Sequence, residues 1–167
     1  MKIKTDFISN SSSSSFIVAF DKPVKKFSDV QHLISREDKA IQVLNDAKPQ
    51  RARKIKLSKA LVSVIAEELS HGYEGTDYEK FQKTFCEREG IDVNDLYQNN
   101  TWMRAFYDEY NKVNMKIYTE KAVDFIKENE GKYLYLFTYA DEDGEFMGEM
   151  EHGFTFEKVP HITIYKH

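Results

Sequence analysis

Five apolar residues in a row, Phe16 to Phe20, stopped by Asp21 and Pro23, predict a strand buried on both faces. A weaker strand pattern, carried by Ile3, Phe7 and Ile8, precedes it. From about residue 27 the period turns helical. Ser28 stands three residues before Gln31 in a capping-box pattern, with Val30, Leu33 and Ile34 on one face. A second short helix through Ala40, Ile41 and Leu44 ends before Pro49. LSKALVSVIAEELSHG predicts a third: Ser58 caps it, Leu61, Ile65 and Leu69 form the buried stripe, and Gly72 stops it beside His71. In TDYEKFQKTFCEREG, Thr76 and Glu79 repeat the capping box, Phe81 and Phe85 lie four apart, and Gly90 marks the C-cap. Trp102, Phe106, Tyr110, Val113 and Ile117 then trace a long amphipathic helix, renewed at Thr119 and ended by Asn129 and Gly131.

The last third reads with period two. KYLYLFTYAD is a strand, the acidic turn at Gly144 follows, EFMGEMEHGFTFE is a second strand interrupted by Gly148 and Gly153, and HITIYKH closes the chain. The expected fold is α+β: an antiparallel sheet, made of the N-terminal strand and three C-terminal strands, with a helical middle packed on one face. At 167 residues the expectation is one domain over 1–167, with strand and serine loop in 1–21, helices in 27–130 and strands in 132–167.

Composition narrows the classes of function. The 24 basic and 28 acidic residues leave a net charge of −4, so no whole-protein field for nucleic acid or an anionic membrane is implied. One cysteine, Cys86, excludes an internal disulfide and a multi-cysteine zinc site, and reads as a small buried hydrophobe. No apolar run is long enough for a membrane span or a secretory signal, so the expected location is the cytoplasm. Seven glycines without a Gly-rich segment give neither a P-loop nor a dinucleotide fingerprint, and no cofactor or metal is expected.

The candidate chemistry lies in three places. On the expected C-terminal hairpin, His152 and His161 are candidate bases or ligands and Glu151 a candidate orienting carboxylate, with His167 set opposite Glu149 or Glu151. A solvated polar sheet face, with His152 on the opposite, apolar face as a core histidine satisfied by a backbone partner, explains the same residues without function. The second place is the basic stretch Lys48, Arg51, Arg53, Lys54, Lys56 and Lys59, a candidate surface for phosphate backbones or an acidic partner, or simply a solvated linker. Its counterpart is the segment from Asp141 to Glu157, with seven acids and no lysine or arginine.

The third is the serine run. Ser11, Ser12, Ser13, Ser14 and Ser15 are candidates for a loop that cradles an anion with backbone N–H groups or packs against a partner. The stretch FISNSSSSSFIV, Phe7 to Val18, with Lys2 and Lys4 ahead of it, resembles an N-terminal signature of small uncharacterised proteins of tailed bacteriophages and bacteria. The resemblance covers about the first 20 residues and implies a phage-like origin without an activity. The leading expectation is therefore a small accessory protein that binds a host or phage protein. A small hydrolase or ligand-binding enzyme with a His/Glu/Ser anion site is the alternative, and nucleic-acid binding through residues 48–59 a second one.

Overall fold

A computed structural model describes residues 13–72 and 75–166. The expected strand around Ile3 to Ile8, Ser11, Ser12 and His167 lie outside the described residues. The elements run β1 (Ser13–Phe20), α1 (Glu37–Ala47), β2 (Arg53–Lys54), α2 (Lys59–Ser70), α3 (Tyr78–Glu89), α4 (Val93–Gln98), α5 (Asn100–Glu128), β3 (Tyr133–Ala140), α6 (Glu145–His152) and β4 (His161–Lys166). The fold is α+β, with an antiparallel sheet and a helical middle. The chain forms two compact units: residues up to Ile55 together with those from Asn129 onward, and Lys56–Glu128.

In the first unit the sheet order is β2-β3-β1-β4, every neighbour antiparallel. β1 is central, pairing Phe16 with Phe137 on one side and with Thr163 on the other. Its apolar run is buried from Phe16 to Phe20, as expected for a strand covered on both faces. Phe16, Val18 and Phe20 pack with Tyr135, Phe137 and Tyr139 of β3, and Ala40, Val43, Leu44 and Ala47 of α1 close over them. Met150 of α6 and Phe156 complete this core, with Phe137 and Phe156 ring centroids 5.0 Å apart.

Four local expectations are corrected. Ser13, Ser14 and Ser15 are the first residues of β1, not part of a loop. The expected helix from residue 27 is only a 3-10 turn, Phe27–Asp29, whose N-terminal end is capped by the Asp29 carboxylate accepting the N–H groups of Lys25 and Lys26, both at 3.0 Å. The segment 145–157 is not a strand: Glu145–His152 is α6, followed by turns, so the sheet has two C-terminal strands rather than three. Its remaining strand is β2, drawn from the basic stretch and paired with Tyr133 and Leu134. The misreading has a simple cause. Phe146 and Met150 are four apart, which satisfies both period two and helical spacing.

The second unit consists of α2 to α5. Ser58 caps α2 as expected, accepting Leu61 N–H at 3.3 Å, and Leu61, Ile65 and Leu69 are buried. The cap of α3 is Asp77, which accepts Lys80 N–H at 2.9 Å, in place of Thr76, whose own N–H donates to Asn114 Oδ1 at 2.7 Å. Gly90 ends α3 in the left-handed region, φ 68°, where a side chain would be strained. A short helix absent from the sequence pattern, α4, is capped by Asp92. α5 runs unbroken for 29 residues, and its buried residues include Phe106, Asn114, Tyr118, Ala122 and Ile126, whereas Val113 is exposed. Arg88 ties α3 to α5 with a two-pronged bond to the Glu109 carboxylate, 2.7 Å at each oxygen, and lies over the Phe85 ring.

Asp29 carries a pH dependence. The Lys25 N–H bond, opposed by burial and helped by Lys26 N–H and Lys22, lowers its pKa from 3.8 to about 2. A depressed carboxylate contributes stability that is present above the unfolded value and is lost as pH falls through the folded one. The urea midpoint should therefore drop between pH 4 and pH 2. Asp29→Asn should be less stable than the native protein at pH 7 and lose less over that interval. Parallel curves for the two proteins would remove Asp29 from the account.

Candidate functional site

Ser14, Glu151 and His152 meet in the first unit, in an unexpected order. Ser14 is fully buried, and its Oγ donates to Glu151 Oε1 at 3.0 Å. Glu151 sits in the last turn of α6 with its side chain buried, and Oε2 lies 3.6 Å from Nε2 of the exposed His152. The carboxylate thus stands between serine and histidine. A nucleophile must instead touch its base and face the solvent. Ser15 Oγ pairs with Thr138 Oγ1 at 3.0 Å across the strands. His161 stands apart from this group: Nδ1 lies 2.8 Å from the Val159 carbonyl oxygen, and its ring neighbours are Phe16 and Phe156.

Lys39 explains why α6 lies where it does. Its ammonium is buried and donates to the carbonyls of Glu149 at 2.7 Å and Gly153 at 3.1 Å, with Thr155 Oγ1 at 3.4 Å. The Glu149 carbonyl, which also accepts Gly153 N–H at 2.9 Å, and the Gly153 carbonyl lie at the C-terminal end of α6, so one lysine from α1 caps that helix. Burial, and then the nearby Arg36 charge, lower the Lys39 pKa. Gly153 leaves room for the ammonium, because a Cβ there would come within 2.3 Å of Nζ. Arg36 adds an ion pair to Glu149 at the surface. Phe154, just beyond the helix, is 80% exposed with φ 52°.

The basic stretch is exposed at Lys48, Arg51, Arg53, Lys54, Lys56 and Lys59, with Arg53 and Lys54 on β2. Among the described residues, no group of three or more His, Cys, Asp or Glu could hold a metal ion. No described helix is long and apolar enough to cross a membrane.

The arrangement best suited to contact with another molecule lies in the second unit and is aromatic. Phe85, Cys86, Leu96 and Phe106 form its buried floor. Tyr78, at the start of α3, sets its ring edge-on to Phe106 at 5.5 Å and to Tyr110 at 5.3 Å. Its hydroxyl lies 2.7 Å from that of Tyr97 on α4 and 3.3 Å from that of Tyr107 on α5. Gln82 Nε2 donates to the Tyr97 hydroxyl at 2.5 Å. Tyr97 and Tyr107 remain 43% and 40% exposed, so three helices present a fixed group of phenols to solvent. Burial, then the Tyr107 and Tyr97 hydroxyls, push the Tyr78 pKa up. None of these three was singled out by the sequence pattern. The available signal was Tyr78 four residues before Gln82, and Tyr107 one step off the Phe106 stripe.

Comparison with family models, with curated proteins and with solved structures finds no match for the chain.

Ser14 and Ser13 give a direct contrast. Ser14→Ala removes a donor from a buried carboxylate and should cost about 1–3 kcal/mol in urea unfolding. Ser13→Ala, at a half-buried position, should stay within about 0.5 kcal/mol. Equal effects at the two sites would mean that the Ser14–Glu151 bond contributes nothing.

Proposed function

We propose that this chain is a small phage-like accessory protein that works by binding another protein, of the host or of the phage, in the host cytoplasm. The observation that carries this is the phenol group formed by the exposed Tyr97 and Tyr107 around the half-buried Tyr78. Tyrosines are enriched where proteins bind one another, because each offers a large, stiff contact area and a polar tip. Here the hydroxyl bonds already hold the rings in place, so little side-chain freedom is lost on binding. The N-terminal signature supports the phage-like origin. The buried Ser14, with its hydroxyl committed to Glu151, does not offer the hydrolase alternative an accessible nucleophile.

The test is site-specific photocrosslinking of the full chain in bacterial cells, with or without phage infection. A photoreactive phenylalanine at position 97 or 107 should capture the same discrete protein, and capture should fall when Tyr78→Ala loosens the group. The same probe at Lys83, an exposed α3 residue, is the control. Capture no stronger at 97 and 107 than at 83 would count against the proposal.

A further inference from the structure

Sheet edges expose backbone donors and acceptors, and this sheet covers one of its edges unevenly. Along β3 the residues facing away from β1 are the alternate ones. Leu134 is matched by Arg53 of the two-residue β2. At Leu136 no described strand is present, and a side chain takes that place: Gln50 Nε2 donates to the Leu136 carbonyl at 2.7 Å, and Leu136 N–H donates to Gln50 Oε1 at 3.0 Å. One planar amide thus imitates a neighbouring strand residue. By the same period, the N–H and C=O of Thr138 face outward next, and Thr138 is exposed. No described strand pairs with it on that side.

A cavity of about 310 Å³ adjoins this open position, lined by residues that include Asn45, Asp46, Thr138, Tyr139, Asp143 and Met147, with no lysine or arginine among them. Asp46 is fixed in place, accepting from Gln42 Nε2 at 2.9 Å and from the Tyr139 hydroxyl at 3.1 Å. Asp141, Glu142 and Asp143, all exposed, follow directly from the end of β3. A second copy of this chain added edge to edge would bring acids against acids, and a nucleic acid would bring phosphates against them. A cationic extended chain suits both the backbone and the charge.

We propose that the outer edge of β3 at Thr138 is a docking site for an extended, lysine- or arginine-bearing segment of a protein partner. The segment adds as a strand: its backbone pairs with Thr138 N–H and C=O, and its cationic side chains meet Asp46 and Asp143. This surface belongs to the first unit and does not depend on the tyrosine group, so the two proposals can fail separately.

The test is fluorescence anisotropy on the full chain with a labelled eight-residue peptide alternating lysine and valine. Two control peptides are used, one N-methylated at alternate amides and one with glutamate for lysine. Saturable binding is expected, weakened about tenfold by N-methylation, abolished by glutamate and reduced by added salt. Asp46→Asn with Asp143→Asn should weaken it several-fold, and Tyr97→Ala should leave it unchanged. Thr138→Pro, which removes the outward N–H and no ladder bond, should weaken it about as much as N-methylation does. If Thr138→Pro does not fold, the N-methylated peptide on the native protein still decides. No saturable binding, or equal binding of the N-methylated peptide, would overturn the proposal. The latter would reduce the site to diffuse charge attraction.

Discussion

The first unit depends on the burial of β1. This strand has hydrogen-bonded neighbours on both sides and little exposure along its length, so each polar group on it needs a partner inside the protein. For the backbone, β3 and β4 supply the partners. For the serine side chains at its N-terminal end, the partners are Glu151 and Thr138. That requirement reaches well beyond the strand. It places a carboxylate over the sheet, which fixes the last turn of α6, and α6 is held in turn by Lys39 from α1. The serine run is thus strand from Ser13 onward, with the Ser14 and Ser15 hydroxyls bonded to Glu151 and Thr138.

Much of the fold was legible where a single period extends over many residues. The apolar run at Phe16 to Phe20, the stripe of α2 with its Ser58 cap, the Gly90 stop and the strand beginning near Tyr133 all carry unambiguous local signals. The errors fall where two explanations share one pattern. Phe146 and Met150 fit strand and helix alike, and only the tertiary requirement of Ser14 and the cap from Lys39 select the helix. At Phe27 the Ser28–Gln31 spacing fits a capping box, yet the cap that forms is one step away, with Asp29 accepting from Lys25 and Lys26 while Gln31 N–H donates to the Phe27 carbonyl. Thr76 was the expected cap of α3, yet its neighbour Asp77 fills that role, and Asn114, 38 residues away, took up the Thr76 N–H. Partners that distant leave no trace in a local pattern.

The candidate site was less legible than the fold, for the same reason. Glu151 was chosen for its chemistry and does meet a serine, but burial makes the pair structural. Tyr78, Tyr97 and Tyr107 come from three helices and converge only in three dimensions. The open position at Thr138 depends on how far β2 extends and on a side-chain amide from Gln50. What the sequence did show was the separation of charge, with acids after β3 and bases around β2. In the structure, acids rim the open part of the β3 edge, and Arg53 and Lys54 lie on the short strand that covers the rest.

Residue-resolved amide hydrogen exchange on the intact protein tests the framework role of the serines most directly. Ser14 and Ser15 should exchange as slowly as Ile17 and Val18, within the most protected set of the first unit, because all four belong to one doubly paired strand. Exchange of Ser14 and Ser15 at the rate of an open loop, with protection beginning only at Phe16, would contradict the account and return the serine run to the role of a loop.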